Sequence, residues 1–124
     1  MTGEALKYLN ESFEALGIPY EYMQWSKGLQ YPYFIGEYTE IEQAYEDGNE
    51  RGTFILTGTT SGDFLTLEAI KEKVKEFFPA DGRTEILESG SGLAVCYSTA
   101  FPVITGEPGL KRLQINLNIQ EWRC

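Results

Sequence analysis

No histidine occurs anywhere in the 124 residues, and this absence limits the chemistry of the chain more than any other. A serine or cysteine nucleophile lacks its usual base, and zinc lacks its commonest nitrogen ligand. Cysteine occurs only at Cys96 and Cys124. Two thiols are too few for a disulfide framework or a structural zinc site, and Cys96, inside the apolar run Leu93 to Tyr97, reads as a core residue. Positive charge is also scarce: 10 Lys and Arg stand against 19 Asp and Glu, a net charge of −9. Nucleic-acid affinity comes mainly from Lys and Arg neutralising phosphates, so sequence-specific binding to DNA is not expected. No apolar run approaches the ~18 residues that cross a bilayer, and Met1-Thr2-Gly3-Glu4 lacks the basic and apolar segments of a signal peptide. The expectation is a protein assembled in a cytosol, without membrane association, cofactor or metal.

What is present is enough apolar residue for a core. Hydrophobic residues make up 42% of the chain and aromatics 14%. A chain of this length reads as one domain, residues 1–124. Leu6, Leu9, Phe13 and Leu16 recur at helical spacing, with Thr2 as N-cap and Gly17 before Pro19 as the stop, which predicts a helix over about 4–16. Tyr20 to Trp25 alternates as a strand. Tyr33 to about Tyr45 reads as a longer strand with apolar residues on both faces. Glu46 to Gly52 reads as an acidic hairpin loop, and Thr53 to Thr59 as the returning strand.

A second helix is predicted from the stripe Leu67, Ile70, Val74 and Phe77, capped by Thr66 and ended before Pro79. Its wet side carries Glu68, Lys71, Glu72 and Lys75 at pairing distance, a solvated face worth a few tenths of a kcal/mol per pair. Thr84 to Glu88 and Leu93 to Phe101 flank the turn Ser89-Gly90-Ser91-Gly92. After a turn at Thr105 to Gly109, Leu113, Ile115, Leu117 and Ile119 alternate with Gln114, Asn116, Asn118 and Gln120. That last strand sets a core face against a ladder of amides. The fold class is therefore α+β: two helices packed on a mainly antiparallel sheet of about six strands, in the order α-βββ-α-βββ.

No catalytic residue emerges. Glu37, Glu40 and Glu42 cluster on one strand, but the odd spacing from Glu37 to Glu40 prevents all three from facing one way. Gly58 to Gly62 lacks the Gly-Lys-Ser/Thr ending of a phosphate loop and reads as the link into the second helix. The serines of the Ser89 turn have no base. Eight aromatics crowd the stretch from Tyr20 to Tyr45, and side chains of that kind supply interface area with a polar tip. Tyr31, Tyr33 and Tyr38 are the candidate contact residues, with the segments from Lys27 to Tyr33 and Glu46 to Gly52 as candidate contact loops.

The order of elements, the acidity, the ending LQINLNIQEWRC and the early stretch GIPYEYMQWSKGLQYPYFIGEYTE resemble the small tail-terminator, or tail-to-head joining, proteins of long-tailed bacteriophages. That resemblance implies a virion structural protein forming a hexameric ring. Its partners would be the tail tube and head-connector proteins, with no catalysis and no cofactor. The acidic charge would then line a lumen past which DNA slides. A different reading is a small-molecule-binding module of the GyrI-like, cation-sensing kind, in which Glu21, Glu37 or Glu40 stands among aromatic side chains. An enzyme ranks last.

Overall fold

The computed structural model describes residues 1–23, 31–41 and 49–122. Helix α1 (Gly3–Ala15) leads into strands β1 (Tyr20–Tyr22), β2 (Tyr33–Ile41) and β3 (Asn49–Thr60). Helix α2 (Phe64–Phe77) follows, then β4 (Arg83–Ile86), β5 (Gly92–Val103) and β6 (Lys111–Trp122). The α-βββ-α-βββ order expected from the sequence is the order observed. The six strands form one sheet, β1-β2-β3-β6-β5-β4, curved as a half-barrel. Four of its five pairings are antiparallel, and β1 lies parallel to β2.

Each helix forms for local reasons. The Thr2 hydroxyl accepts from the Ala5 amide at 3.1 Å, satisfying one of the donors a helix start leaves open. Gly17, at φ +74°, turns the chain out of α1, and the Ile18 amide reaches back to the Phe13 carbonyl at 3.1 Å. Asp63, not Thr66, caps α2: its carboxylate accepts from the Leu65 amide at 3.0 Å. The helix begins earlier than its apolar stripe because Phe64 already leans on the core. On the wet side Lys71 meets both Glu68 at 2.5 Å and Glu72 at 3.7 Å, while Lys75 lies over the Tyr97 ring at 5.3 Å.

Both helices rest on the same face of the sheet. Leu9 and Phe13 of α1 and Leu67, Ile70 and Val74 of α2 join Phe34, Phe54, Leu56, Leu93 and Val95 in one buried cluster. Leu113, Ile115, Leu117 and Ile119 enter it from β6, so the alternation in that strand divides inside from outside as expected. Glu121 continues the inward parity and is buried at 1% exposure. Its carboxylate accepts from the Thr2 amide and the Thr2 hydroxyl, each at 2.9 Å, tying the cap of α1 to the last strand.

Two glycines let aromatic rings lie across the sheet. A Cβ on Gly58 would stand 2.3 Å from the Phe34 ring, and one on Gly36 would stand 2.5 Å from Phe54 and 2.6 Å from Tyr20. Both positions lie in regular pairing, Phe34 opposite Gly58 and Gly36 opposite Leu56.

Several boundaries differ from the sequence reading. Strand β1 stops at Tyr22 because Met23 adopts φ +71°, left-handed backbone that ends the extended run. The Gln24 and Trp25 end of the expected strand lies outside the described residues, as does the stretch from Glu42 to Tyr45. Asn49 to Gly52 belongs to β3 and not to a loop: Gly52 pairs with Glu40 and Arg51 with Ile41. The rest of the expected acidic hairpin tip is outside the described residues. Cys96 is not a core residue. It pairs with Asn118 on the helix-free face and is half-buried, because strand parity gives Leu93 and Val95 the inward positions.

Candidate functional site

The helix-free face of the sheet is where this fold offers a surface. Register places Tyr33, Ile35 and Glu37 of β2 on it, opposite Thr59, Thr57 and Ile55 of β3. Across β6 come Arg112, Gln114, Asn116 and Asn118, and beyond them Phe101, Thr99 and Cys96 of β5. Nothing else in the described chain packs as a layer over these residues. Two of the four amides in the expected ladder are bonded in series: Gln114 donates to Asn116 at 3.0 Å, and Asn116 donates to the Thr99 hydroxyl at 3.0 Å. The Arg112 guanidinium donates to Thr59 at 3.2 Å, which explains how a threonine on the open face is buried. Gln114, Asn116 and Thr99 thus form a bonded chain, with Ile35, Ile55 and Tyr33 half-buried on the same face.

The three candidate contact tyrosines separate. Tyr31 and Tyr33 come together, ring centroids 5.8 Å apart. Tyr38 has the opposite parity, packs against the core and stacks on Tyr22 at 6.3 Å. Strand alternation is the cause, since Tyr33 and Tyr38 are an odd number of residues apart. Of the contact loops, only Tyr31 to Tyr33 and Asn49 to Gly52 fall within the described residues.

The acidic candidates separate in the same way. Glu37 faces the open side, Glu40 meets the Met1 amine on the other, and Glu42 lies outside the described residues. Glu21 stands on β1 opposite Ile35. Ser89 makes a structural turn: its amide and hydroxyl donate to the Glu4 carboxylate at 3.2 and 3.3 Å. Gly58 to Thr60 complete β3, and Ser61-Gly62 bend into α2. Among the described residues no three Asp, Glu or Cys side chains converge to hold a metal ion, and no helix is long and apolar enough to cross a membrane.

Sequence reasoning missed two features. One is an open hollow of about 420 Å³ between the end of α1 and β1, lined by Asn10, Glu14, Ile18, Tyr20, Glu21 and Tyr22. Tyr20 donates to Asn10 at 2.7 Å. Burial, reinforced by the neighbouring Tyr22, pushes the Tyr20 hydroxyl well above the ordinary tyrosine range. Tyr22 shifts the same way through burial, then Tyr38 and Glu37. The other is an apolar end of the molecule where the β5–β6 hairpin meets the start of α2. Ile104 there is 96% exposed, Leu65 68% and Phe101 43%. A shallow hollow of about 460 Å³ between Phe64, Val103, Ile104 and Leu110 joins the two elements. The apolar end has no local sequence signal, because it depends on which turns the sheet brings together, and the hollow within residues 10–22 depends on how α1 packs against β1.

No family model matches this chain, and no curated protein does. The fold itself recurs. One solved structure, described by a sequence label without a function, superposes with a TM-score of 0.63 over 98% of this chain and 92% of its own length. The two chains are 16% identical. The architecture is thus shared nearly end to end.

Proposed function

We propose that this chain is a structural virion subunit of the tail-terminator kind, which acts by forming a ring with copies of itself and not by catalysis. The observation that carries the reading is the one-sided sheet: both helices cover one face, and the other is left with the bonded chain of Gln114, Asn116 and Thr99 and half-buried Ile35, Ile55 and Tyr33. A bonded polar chain holds its side chains in place and a flanking aliphatic strip is ready to be desolvated, and both favour a specific interface. The apolar end at Leu65, Phe101 and Ile104 supplies a second contact of different shape. Two unlike patches on one subunit suit a head-to-tail contact, which closes into a ring when the rotation allows. The net charge of −9 would keep DNA from adhering to the inner wall of such a ring. The tail tube and a head-connector protein are the partners this reading requires.

The test is the mass of the purified protein by light scattering over rising concentration, with negative-stain microscopy of the largest species. A discrete species of six subunits seen as rings is expected. Tyr31→Ala with Tyr33→Ala should abolish it while leaving circular dichroism and thermal unfolding of the monomer intact. A strict monomer at every concentration, or normal rings from the double variant, would overturn the assembly or the tyrosine contact respectively.

A further inference from the structure

Each edge of the sheet is only partly covered. On one side β1 pairs with residues 34–36 of β2, and among the described residues no strand lies outside residues 37–41. On the other, β4 pairs with residues 92–95 of β5. The Tyr97 amide donates to the Pro79 carbonyl at 3.3 Å, and beyond it no described strand lies outside residues 98–103. Alternate residues of such a stretch turn backbone N–H and C=O groups away from the sheet, a template for another strand. Edge strands are ordinarily protected by charge. Residues 89–106 hold no Asp, Glu, Lys or Arg and are the longest uncharged run in a chain of net charge −9. The bulge between Tyr97 and Thr99 and the missing N–H of Pro102 limit where a partner can pair but add no charge.

The two open stretches sit at diagonally opposite corners. Ile41 is level, through Arg51 and Gln120, with Ala94 in the part of β5 that β4 covers. Tyr33 is level, through Thr59 and Arg112, with Val103 in the part left open. Beyond β1 there is a notch beside β2, and beyond β4 a notch beside β5. A second copy in the same orientation can interlock with the first, its β5 entering one notch while β2 fills the other. Three successive antiparallel pairings make β5 run opposite to β2, so this seam is antiparallel and continues the alternation of the sheet.

The side chains suit that seam. Phe101 is 43% exposed and lies on the helix-free face, as Ile35 does, so pairing brings the apolar end of one copy beside the aliphatic strip of the next. Ile104, 96% exposed just past β5, would reach Met23, 60% exposed just past β1. The open stretch of β2 carries Glu37 and Glu40, so β2 against β2 would oppose carboxylates, whereas β5 brings none.

We propose that neighbouring copies join by strand addition, residues 98–103 of one copy pairing antiparallel with residues 37–41 of the next to make a sheet continuous through the assembly. The inference rests on the ring reading above and names the contact that builds it.

The experiment is disulfide trapping of the full chain in a Cys96→Ser, Cys124→Ser background. Thr39 and Thr99 are both exposed and both on the helix-free face. A chain carrying Thr39→Cys with Thr99→Cys should oxidise to a ladder of covalent multimers on a non-reducing gel, with peptide mapping joining position 39 to position 99. Phe101→Cys in place of Thr99→Cys covers the neighbouring register. Each single variant should give less than about a tenth of that yield, since a disulfide needs its two Cβ atoms side by side. Separately, Thr99→Glu with Phe101→Glu should raise the concentration at which light scattering shows assembly about tenfold or more, and adding Glu37→Lys should recover most of the loss. Circular dichroism checks that each variant folds. Rings of six subunits with neither the linkage nor the charge effect would overturn the strand contact and leave the ring reading standing. The linkage in open-ended chains under negative stain would uphold the contact and overturn the ring. An equal yield of dimer from Thr99→Cys alone would mean that β5 pairs with itself, and this, or a monomer that never cross-links, would overturn the proposal.

Discussion

Replacing Gly58 with alanine tests whether the core is built on rings lying across glycine. The new Cβ would stand 2.3, 2.4 and 2.9 Å from three carbons of the Phe34 ring, where carbon atoms prefer about 3.5–4.0 Å. Phe34 is fully buried, so the ring must move by about 1 Å into atoms that already touch it. Overpacking of this kind costs about 1–3 kcal/mol. Gly58 has ordinary extended backbone, so alanine also narrows the unfolded ensemble and returns about 0.4–1 kcal/mol. The net expectation is a loss of about 1–2 kcal/mol, or about 4–8 °C in Tm for a domain of this size. Chemical denaturation and thermal melts of the variant read it directly. Gly3→Ala is the contrasting control: nothing lies within 4 Å of its Cβ, and the residue opens α1, so that variant should be slightly more stable. Combining Gly58→Ala with Phe34→Leu should recover part of the loss, because the shorter side chain vacates the contested space. A Gly58→Ala protein as stable as the parent, or a double variant showing simple additivity, would refute the argument.

Three further expectations follow from single contacts. Thr2→Ala and Glu121→Gln should each destabilise by about 1–3 kcal/mol, and a double-mutant cycle should show clear coupling between sites 119 residues apart; additive effects would mean the carboxylate does not hold the helix cap. Asp63→Ala should cost about 1 kcal/mol and Thr66→Ala much less, since Asp63 caps α2; the reverse ranking in urea midpoints would restore Thr66 as the cap. Tyr20 keeps its proton in the folded state to higher pH than in the unfolded chain, where it titrates near 10. The unfolded state therefore binds fewer protons above that pH, so the contribution is intact below about pH 10 and is lost progressively as pH rises. Tyr20→Phe should lower stability by a constant amount through the lost Asn10 bond, yet show a shallower decline between pH 10 and 12 in urea midpoints; parallel declines would place the alkaline lability elsewhere.

Legibility in the sequence followed the range of the interactions concerned. The stripe Leu6, Leu9, Phe13 and the alternation through Leu113 and Ile119 are patterns with a period of a few residues, set by backbone geometry alone, and both elements formed where expected. Thr2 as a cap and Gly17 as a stop act within one turn and were equally visible. Asp63 was not, because the helix starts where Phe64 finds the core, and only the fold decides that. The tyrosine-rich stretch was legible as composition, yet parity sends Tyr33 to the open face and Tyr38 to the core.

The sequence by itself determined the element list, the inward face of β6 and the absence of histidine chemistry, because each depends on neighbours in the chain or on composition. Tertiary structure alone decided the strand order, the parallel seating of β1 beside β2 and the placing of both helices on one face. It also decided the bond between Thr2 and Glu121, the rings over Gly36 and Gly58, and the hollow at the end of α1. Those features join residues from about a dozen to more than a hundred positions apart. Their free energy comes from burial and close approach, which no local pattern encodes.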